Sequence, residues 1–174
     1  GKKTEMKAHI NHWLPDLMLQ DVFMITPSML KEQGIRALAL DIDNTLAPYS
    51  ALSPDPKTIA WLQKMTDEGI ICFVISNNKY ARVAEFCQSI GTPFACESNK
   101  PSVKKLQQFA REFHLNPDEI LVLGDQIFTD VWMAKRYGCR AWMVDPIDPS
   151  LEGWLIRLKR ILEKPFIYAY RRKH

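Results

Sequence analysis

The chain has 174 residues, 47% apolar and 25% charged, which describes a globular protein with a core of its own and excludes a disordered one. No apolar run approaches the ~20 residues that span a bilayer, and Gly1-Lys2-Lys3-Thr4-Glu5 is not followed by the apolar stretch of a signal peptide. The net charge of +3 is uneven: residues 151–174 carry seven Lys and Arg against two Glu, a net of +5, and leave −2 for the rest.

In chain order, Ile10 to Gly34 reads as two short helices, the second opened by Thr26-Pro27 as N-cap and first residue and closed by Gly34. From Ile35 the pattern alternates strand and helix. Ile35 to Leu40 is an apolar strand. A Pro- and Ser-containing loop, Pro48 to Pro56, leads to a helix from Pro56 to Glu68 with Gly69 as its stop. Ile70 to Ile75 is the second strand, Tyr80 to Ile90 a helix, and Pro93 to Cys96 a short third strand. Ser102 to Phe113 is helical, Ile120 to Leu123 is the fourth strand, Thr129 to Tyr137 a helix, and Ala141 to Val144 the fifth strand. Strands alternating with helices of this length predict an α/β fold whose parallel sheet is covered on both faces.

The last segment begins at Asp148-Pro149. Leu151, Trp154, Leu155, Leu158, Ile161 and Leu162 share one helical face, with Arg157, Arg160 and Lys164 on the other. Packing of the apolar face on the sheet is the expectation, and Pro165 is expected to end or bend the helix. A basic end carrying Trp154, Phe166, Tyr168 and Tyr170 also suits an anionic membrane surface, and Phe166 to Lys173 is left open between such contact and a loose tail. Trp13, Leu14, Leu17, Met18 and Leu19 are expected in the core. The organisation is one domain: an N-terminal helical segment over 1–34, a core over 35–147, and a basic amphipathic helix and tail over 148–174. Cys72, Cys87, Cys96 and Cys139 are far apart with no C-x-x-C pair, and read as reduced thiols of a cytosolic protein.

Four signals lie at or just beyond strand ends, where open α/β sheets place their ligands. They are Asp41-Ile42-Asp43-Asn44-Thr45, Ser76-Asn77-Asn78, Lys100-Pro101, and Gly124-Asp125-Gln126-Ile127-Phe128-Thr129-Asp130. Two carboxylates leaving one strand suit a nucleophile beside an acid/base. Carboxylates converging on one sheet edge repel one another without a cation, and a carboxylate attacking a phosphate dianion needs one as well.

In type and order the four motifs resemble the haloacid dehalogenase superfamily of phosphohydrolases, over roughly residues 35–145. The resemblance implies a single Rossmann-like three-layer α/β/α domain with a central parallel sheet. It implies an aspartyl-phosphate on Asp41 and proton transfer by Asp43. Mg²⁺ would be held by Asp41, by the Asp43 main-chain carbonyl and by Asp125, with Asp130 in the outer shell. Ser76 and backbone N–H groups near Asn77 would bind the phosphoryl oxygens, Thr45 would hold the loop around the nucleophile at the phosphate site, and Lys100 would neutralise nucleophile and phosphate. Within the family an Asp at position 43 marks phosphatases rather than dehalogenases.

Asp41 and Ser76 are 35 residues apart, and Ser76 and Lys100 are 24 apart, so neither gap holds a cap domain. A capless site is open and suits a large substrate, or a small one enclosed by oligomerisation. Leu14-Pro15-Asp16, Ile25-Thr26-Pro27 to Leu30, Gly34-Ile35, Asn44 and the Gln126/Thr129 pair are similar to a bacterial branch of capless (subfamily IIIA) phosphatases akin to the phosphatidylglycerophosphate phosphatases of mitochondria and plastids. That similarity implies a Mg²⁺-dependent phosphomonoesterase acting on this anionic phospholipid. It would be cytoplasmic, peripheral on the inner membrane face, and without a nucleic-acid partner. A phosphatase of a soluble phosphomonoester, such as a sugar phosphate or nucleotide, is the alternative, and a non-catalytic binding module is a third reading.

Overall fold

The computed structural model describes residues 13–174, so the start of the N-terminal segment lies outside the described residues. Six strands form one parallel sheet: β1 (Leu17–Leu19), β2 (Ala37–Leu40), β3 (Ile71–Ile75), β4 (Phe94–Ala95), β5 (Ile120–Gly124) and β6 (Arg140–Val144). Their order is β1-β6-β5-β2-β3-β4, which puts β2 and β5 at the centre. The helices are α1 (Pro27–Glu32), α2 (Pro56–Asp67), α3 (Tyr80–Gln88), α4 (Lys104–Glu112), α5 (Trp132–Tyr137) and α6 (Trp154–Lys173).

The period of two along the strands divides the core between the two faces of the sheet. Leu38, Leu40, Val74, Leu121, Leu123 and Trp142 meet Trp61, Leu62 and Met65 of α2 and Val83 and Phe86 of α3 on one face. Ala37, Ala39, Phe73, Ile75, Val122 and Met143 meet Leu106 and Phe109 of α4 and Met133 and Ala134 of α5 on the other. This is the three-layer α/β/α fold that the alternation predicts. Only the loop and α2 lie between β2 and β3, and no cap domain occurs among the described residues. Cys72, Cys87 and Cys139 are buried free thiols whose pKa values burial pushes up to about 12.

Three expectations are corrected. Leu17 to Leu19 is not helical but an edge strand paired with β6, from Leu17 opposite Trp142 to Leu19 opposite Val144. Asp16 secures the pairing by accepting from the Ala141 N–H and donating its own N–H to the Ala141 carbonyl, both at 2.8 Å. Three residues are too few for alternation to register, and the gain comes from a distant strand. Second, of the two outcomes expected at Pro165, an end to the helix does not occur: α6 runs through it to Lys173.

Third, α6 faces the other way. Trp154, Leu155, Leu158, Ile161 and Leu162 are exposed, with Trp154 at 73%. Arg160, placed on the outer face by the sequence, turns inward with Glu163. Phe166 and Ile167 pack against the core, and Tyr170 is buried. The stretch from Phe166 to Lys173 is thus helix anchored on the sheet, with Tyr168 left outside. Leu14 is buried, and Trp13, Leu17, Met18 and Leu19 pack against the two core clusters.

Candidate active site

The C-terminal ends of β2, β3 and β5 and the loop after β4 deliver the four motifs to one cavity of about 300 Å³. Asp41, Asp43, Tyr49, Ser76, Asn77, Asn78, Lys79, Lys100, Gln126, Thr129 and Ile156 line it. After β2 the chain turns at Asn44, whose φ of 62° is left-handed, a conformation that Asn tolerates better than most residues. Asp41 and Asp43 thereby both reach the cavity. The Asn44 amide is tied at both ends. Its Nδ2 donates to Glu152 Oε1 at 2.9 Å, and its Oδ1 accepts from the Asp148 N–H at 3.0 Å.

Lys100 Nζ lies between two carboxylates, 3.0 Å from Asp41 Oδ1 and 2.7 Å from Asp130 Oδ1. Burial alone would lower its pKa, but Asp130 and Asp41 outweigh it and raise the value, so the ammonium persists. Carboxylate oxygens of Asp41, Asp125 and Asp130 lie within 4.8 Å of one another. Burial holds the Asp41 carboxyl well above its usual range against the pull of Lys100, and burial and Asp130 raise Asp125. Carboxyls crowded and desolvated in this way suit a hard divalent cation, which keeps them ionised.

Asp43 is held from the other side. Asn78 Nδ2 donates to Oδ2 at 2.9 Å, and Arg82 lies 3.2 Å from Oδ1. Arg82 also donates to the carbonyls of Pro48 and Ala51, so one guanidinium ties the loop after β2 to the second aspartate. Ser76 Oγ lines the cavity and accepts from the Asn78 N–H at 3.0 Å. The Asn77 side chain accepts from the Lys100 N–H at 2.6 Å and donates to its carbonyl at 3.4 Å, which fixes the lysine's backbone. Thr45 lies outside the cavity lining and donates its hydroxyl to Asp125 Oδ1 at 3.0 Å.

Gly124 allows this convergence, because a Cβ there would overlap the Asp130 carboxyl. A π-helical turn, Ile127–Val131, carries Asp130 back toward the strand end. Helix α6 secures that turn. Glu163 accepts from the N–H groups of Ile127 (2.8 Å) and Phe128 (3.4 Å). Burial lifts its pKa to about 7 despite these bonds. Arg160 reaches Asp125 Oδ2 at 2.5 Å, donates to its carbonyl at 3.1 Å, and pairs with Glu152.

Sequence reasoning missed Asn78, Arg82, Glu152, Arg160 and Glu163. Asn78 closes the second motif but had no role assigned to it, and Arg82 follows four residues later on the first turn of a helix. Nothing in the sequence marked the other three, because their partners at the site are 35 to 108 residues away along the chain.

A capless parallel sheet with this site defines a phosphatase of the haloacid dehalogenase type. Solved structures share the fold. The cobalt-bound deoxy-D-mannose-octulosonate 8-phosphate phosphatase of Haemophilus influenzae superposes with a TM-score of 0.53 at 13% identity, over 64% of this chain and 69% of that one. The 3-deoxy-D-manno-octulosonate 8-phosphate phosphatase of Moraxella catarrhalis, solved with magnesium, phosphate and KDO, gives 0.51 at 12% identity, over 80% and 92%. The family model described as mitochondrial PGP phosphatase matches residues 4–148, and the chain belongs to that family. It is 34% identical over 161 residues to "Probable phosphatase YqeG" of Bacillus subtilis (strain 168), covering 92% of this chain and 93% of that protein. It is 26% identical over 171 residues to the chloroplastic/mitochondrial phosphatidylglycerophosphate phosphatase 1 of Arabidopsis thaliana, covering 92% of this chain and 49% of that protein, about half its length.

Proposed function

We propose that the protein is a Mg²⁺-dependent phosphomonoesterase that works through an aspartyl-phosphate and acts on phosphatidylglycerophosphate at the cytoplasmic face of a membrane. The observation that carries the chemistry is the grouping of Asp41, Asp125 and Asp130 within 4.8 Å, with Lys100 bridging two of them and Asp43 held separately.

In the first step an Asp41 carboxylate oxygen attacks phosphorus, and the bond to the alcohol oxygen breaks as Asp43 donates a proton to it. In the second, Asp43 takes a proton from water, the oxygen attacks phosphorus, and the bond to Asp41 breaks to release phosphate. Asn78 and Arg82 keep Asp43 aimed through both steps. Lys100 offsets charge on the nucleophile and the phosphoryl oxygens, and the Ser76 hydroxyl donates to the latter. Asp41, Asp125 and the Asp43 carbonyl would hold Mg²⁺, with Asp130 orienting Lys100 or bound water. When bound, Mg²⁺ supplies the positive charge that lets a carboxylate approach a phosphate dianion.

The lipid substrate is supported by membership of the family, by the name of the Arabidopsis thaliana relative and by the open cavity. The test is phosphate release from phosphatidylglycerophosphate in mixed micelles beside a panel of soluble phosphomonoesters, with and without Mg²⁺. The expected result is preference for the lipid, abolished without Mg²⁺ and reduced at least ~10³-fold in Asp41→Asn. Equal or better turnover of a sugar phosphate or nucleotide would reassign the substrate and keep the chemistry.

A further inference from the structure

Helix α6 is built inside out. Its inner face carries Ile156, Arg160, Glu163, Ile167 and Tyr170, and two of these five are charged groups committed to the Asp125 loop. Its outer face carries Trp154, Leu155, Leu158, Ile161 and Leu162, each between 46% and 73% exposed, and Leu151 just before the helix is 56% exposed. Apolar side chains exposed singly are ordinary, but five on one helical stripe with a sixth just before it are not.

The flanks of the stripe identify what covers it. At 100° per residue, Arg157 and Lys164 border it on one side and Lys159 on the other, and Arg171 and Arg172 follow toward the C-terminus. A second copy of this chain packed on the stripe would bring its own cations against these flanks. An apolar ridge edged by cations on both sides, with an exposed Trp at one end, matches the head-group and acyl boundary of an anionic bilayer. The stripe also starts at the rim of the catalytic cavity, because Ile156 lines that cavity while Trp154 and Leu155 beside it point outward.

We propose that the outer face of α6 seats the protein on an anionic lipid surface, with Trp154, Leu155, Leu158, Ile161 and Leu162 in the acyl boundary and Arg157, Lys159 and Lys164 among the head groups. The inner face of the same helix grips Asp125 through Arg160 and the following turn through Glu163, so seating the helix presents the cavity to the surface in one fixed orientation. The effect on turnover rests on the lipid-phosphate reading of the site, whereas the binding rests on α6 alone.

The test is cosedimentation of the full chain with phosphatidylcholine vesicles and with phosphatidylcholine–phosphatidylglycerol vesicles that contain no substrate, with Trp emission recorded in parallel. The wild-type chain is expected to partition onto the anionic vesicles with a blue shift, and to lose that partition as salt rises. Leu158→Glu with Ile161→Glu, at positions exposed in the folded protein, is expected to lower partition at least tenfold. Lys164→Gln is expected to lower it about fivefold, the conversion of roughly 1 kcal/mol per basic residue near such a surface. In the double variant, turnover of a soluble ester such as p-nitrophenyl phosphate is expected to be unchanged, and turnover of vesicle-borne lipid phosphate to fall.

Absence of wild-type binding to anionic vesicles, or binding that survives the double substitution, overturns the proposal. So does a wild-type dimer in sedimentation that the double substitution splits while vesicles stay unbound, which would give the stripe to a second copy of the chain. Binding that follows the stripe, without preference for lipid phosphate over soluble esters, upholds the docking surface and refutes only the lipid substrate.

Discussion

Asp43 depends on two residues that never touch the other three carboxylates. Asn78 holds one of its oxygens and Arg82 the other. Arg82→Ala or Asn78→Ala frees the side chain and is expected to lower kcat about 10²-fold with little change in KM. The two losses should be less than additive, because both residues hold one group. Steady-state kinetics of the single and double variants check this.

Gly124→Ala is a second case at the residue scale. The added methyl meets the Asp130 carboxyl and pushes it from Lys100, so activity should fall about 10²-fold while circular dichroism stays that of the folded protein. Glu163 gives a pH dependence. Its pKa rises from an ordinary 4.5 to about 7 on folding, so its stabilising contribution is complete below about pH 4.5 and is lost as pH rises through 7. The wild type should therefore lose stability relative to Glu163→Gln between pH 5 and pH 8, by on the order of 2–3 kcal/mol. Paired thermal melts across that range measure the difference.

At the scale of elements, the four motifs that meet at the cavity were legible because each lies at or just beyond one strand end and needs only local sequence to announce it. Asp41 and Asp43 follow an apolar strand, and Asp125 and Asp130 follow another. The helices α2 and α3 were legible from their apolar spacing and the glycines beyond them. β1 was not, because a three-residue strand has no period, and its pairing is made by Asp16 and by Tyr170, whose hydroxyl accepts from the Met18 N–H at 3.0 Å. Tyr170 reaches β1 from the last turns of α6, 152 residues away. Tyr170→Phe leaves that N–H without its acceptor and is expected to cost about 1–3 kcal/mol, read from urea unfolding with an unchanged m-value.

At the scale of the whole molecule, the fold collects desolvated carboxylates that Lys100, Arg160 and Arg82 offset in part. A divalent cation that binds the folded chain alone should raise its stability. Mg²⁺ at a hundredfold over its Kd would add about 2.7 kcal/mol, a Tm increase of roughly 5–10 °C for a chain of this size. Asp125→Asn should remove most of that increase, with thermal melts in Mg²⁺ and in EDTA as the measurement. Among the described residues no helix is long and apolar enough to cross a membrane. In the docking proposal, contact with lipid is made by the exposed face of α6.

The sequence by itself determined the alternation of strand and helix, the parallel sheet, the absence of room for a cap, and the four clusters of reactive side chains at strand ends. These are properties of periodicity and spacing, which local windows of the chain display wherever an element is long enough to have a period. Tertiary structure alone decided which way α6 turns. Its amphipathic pattern forecast an apolar face on the sheet, but burying Arg160 against Asp125 and Glu163 against the turn beyond it satisfies charges and N–H groups that would otherwise be unpaired in the core. That polar requirement outweighs the apolar one and leaves the Trp, Leu and Ile side chains of the other face exposed.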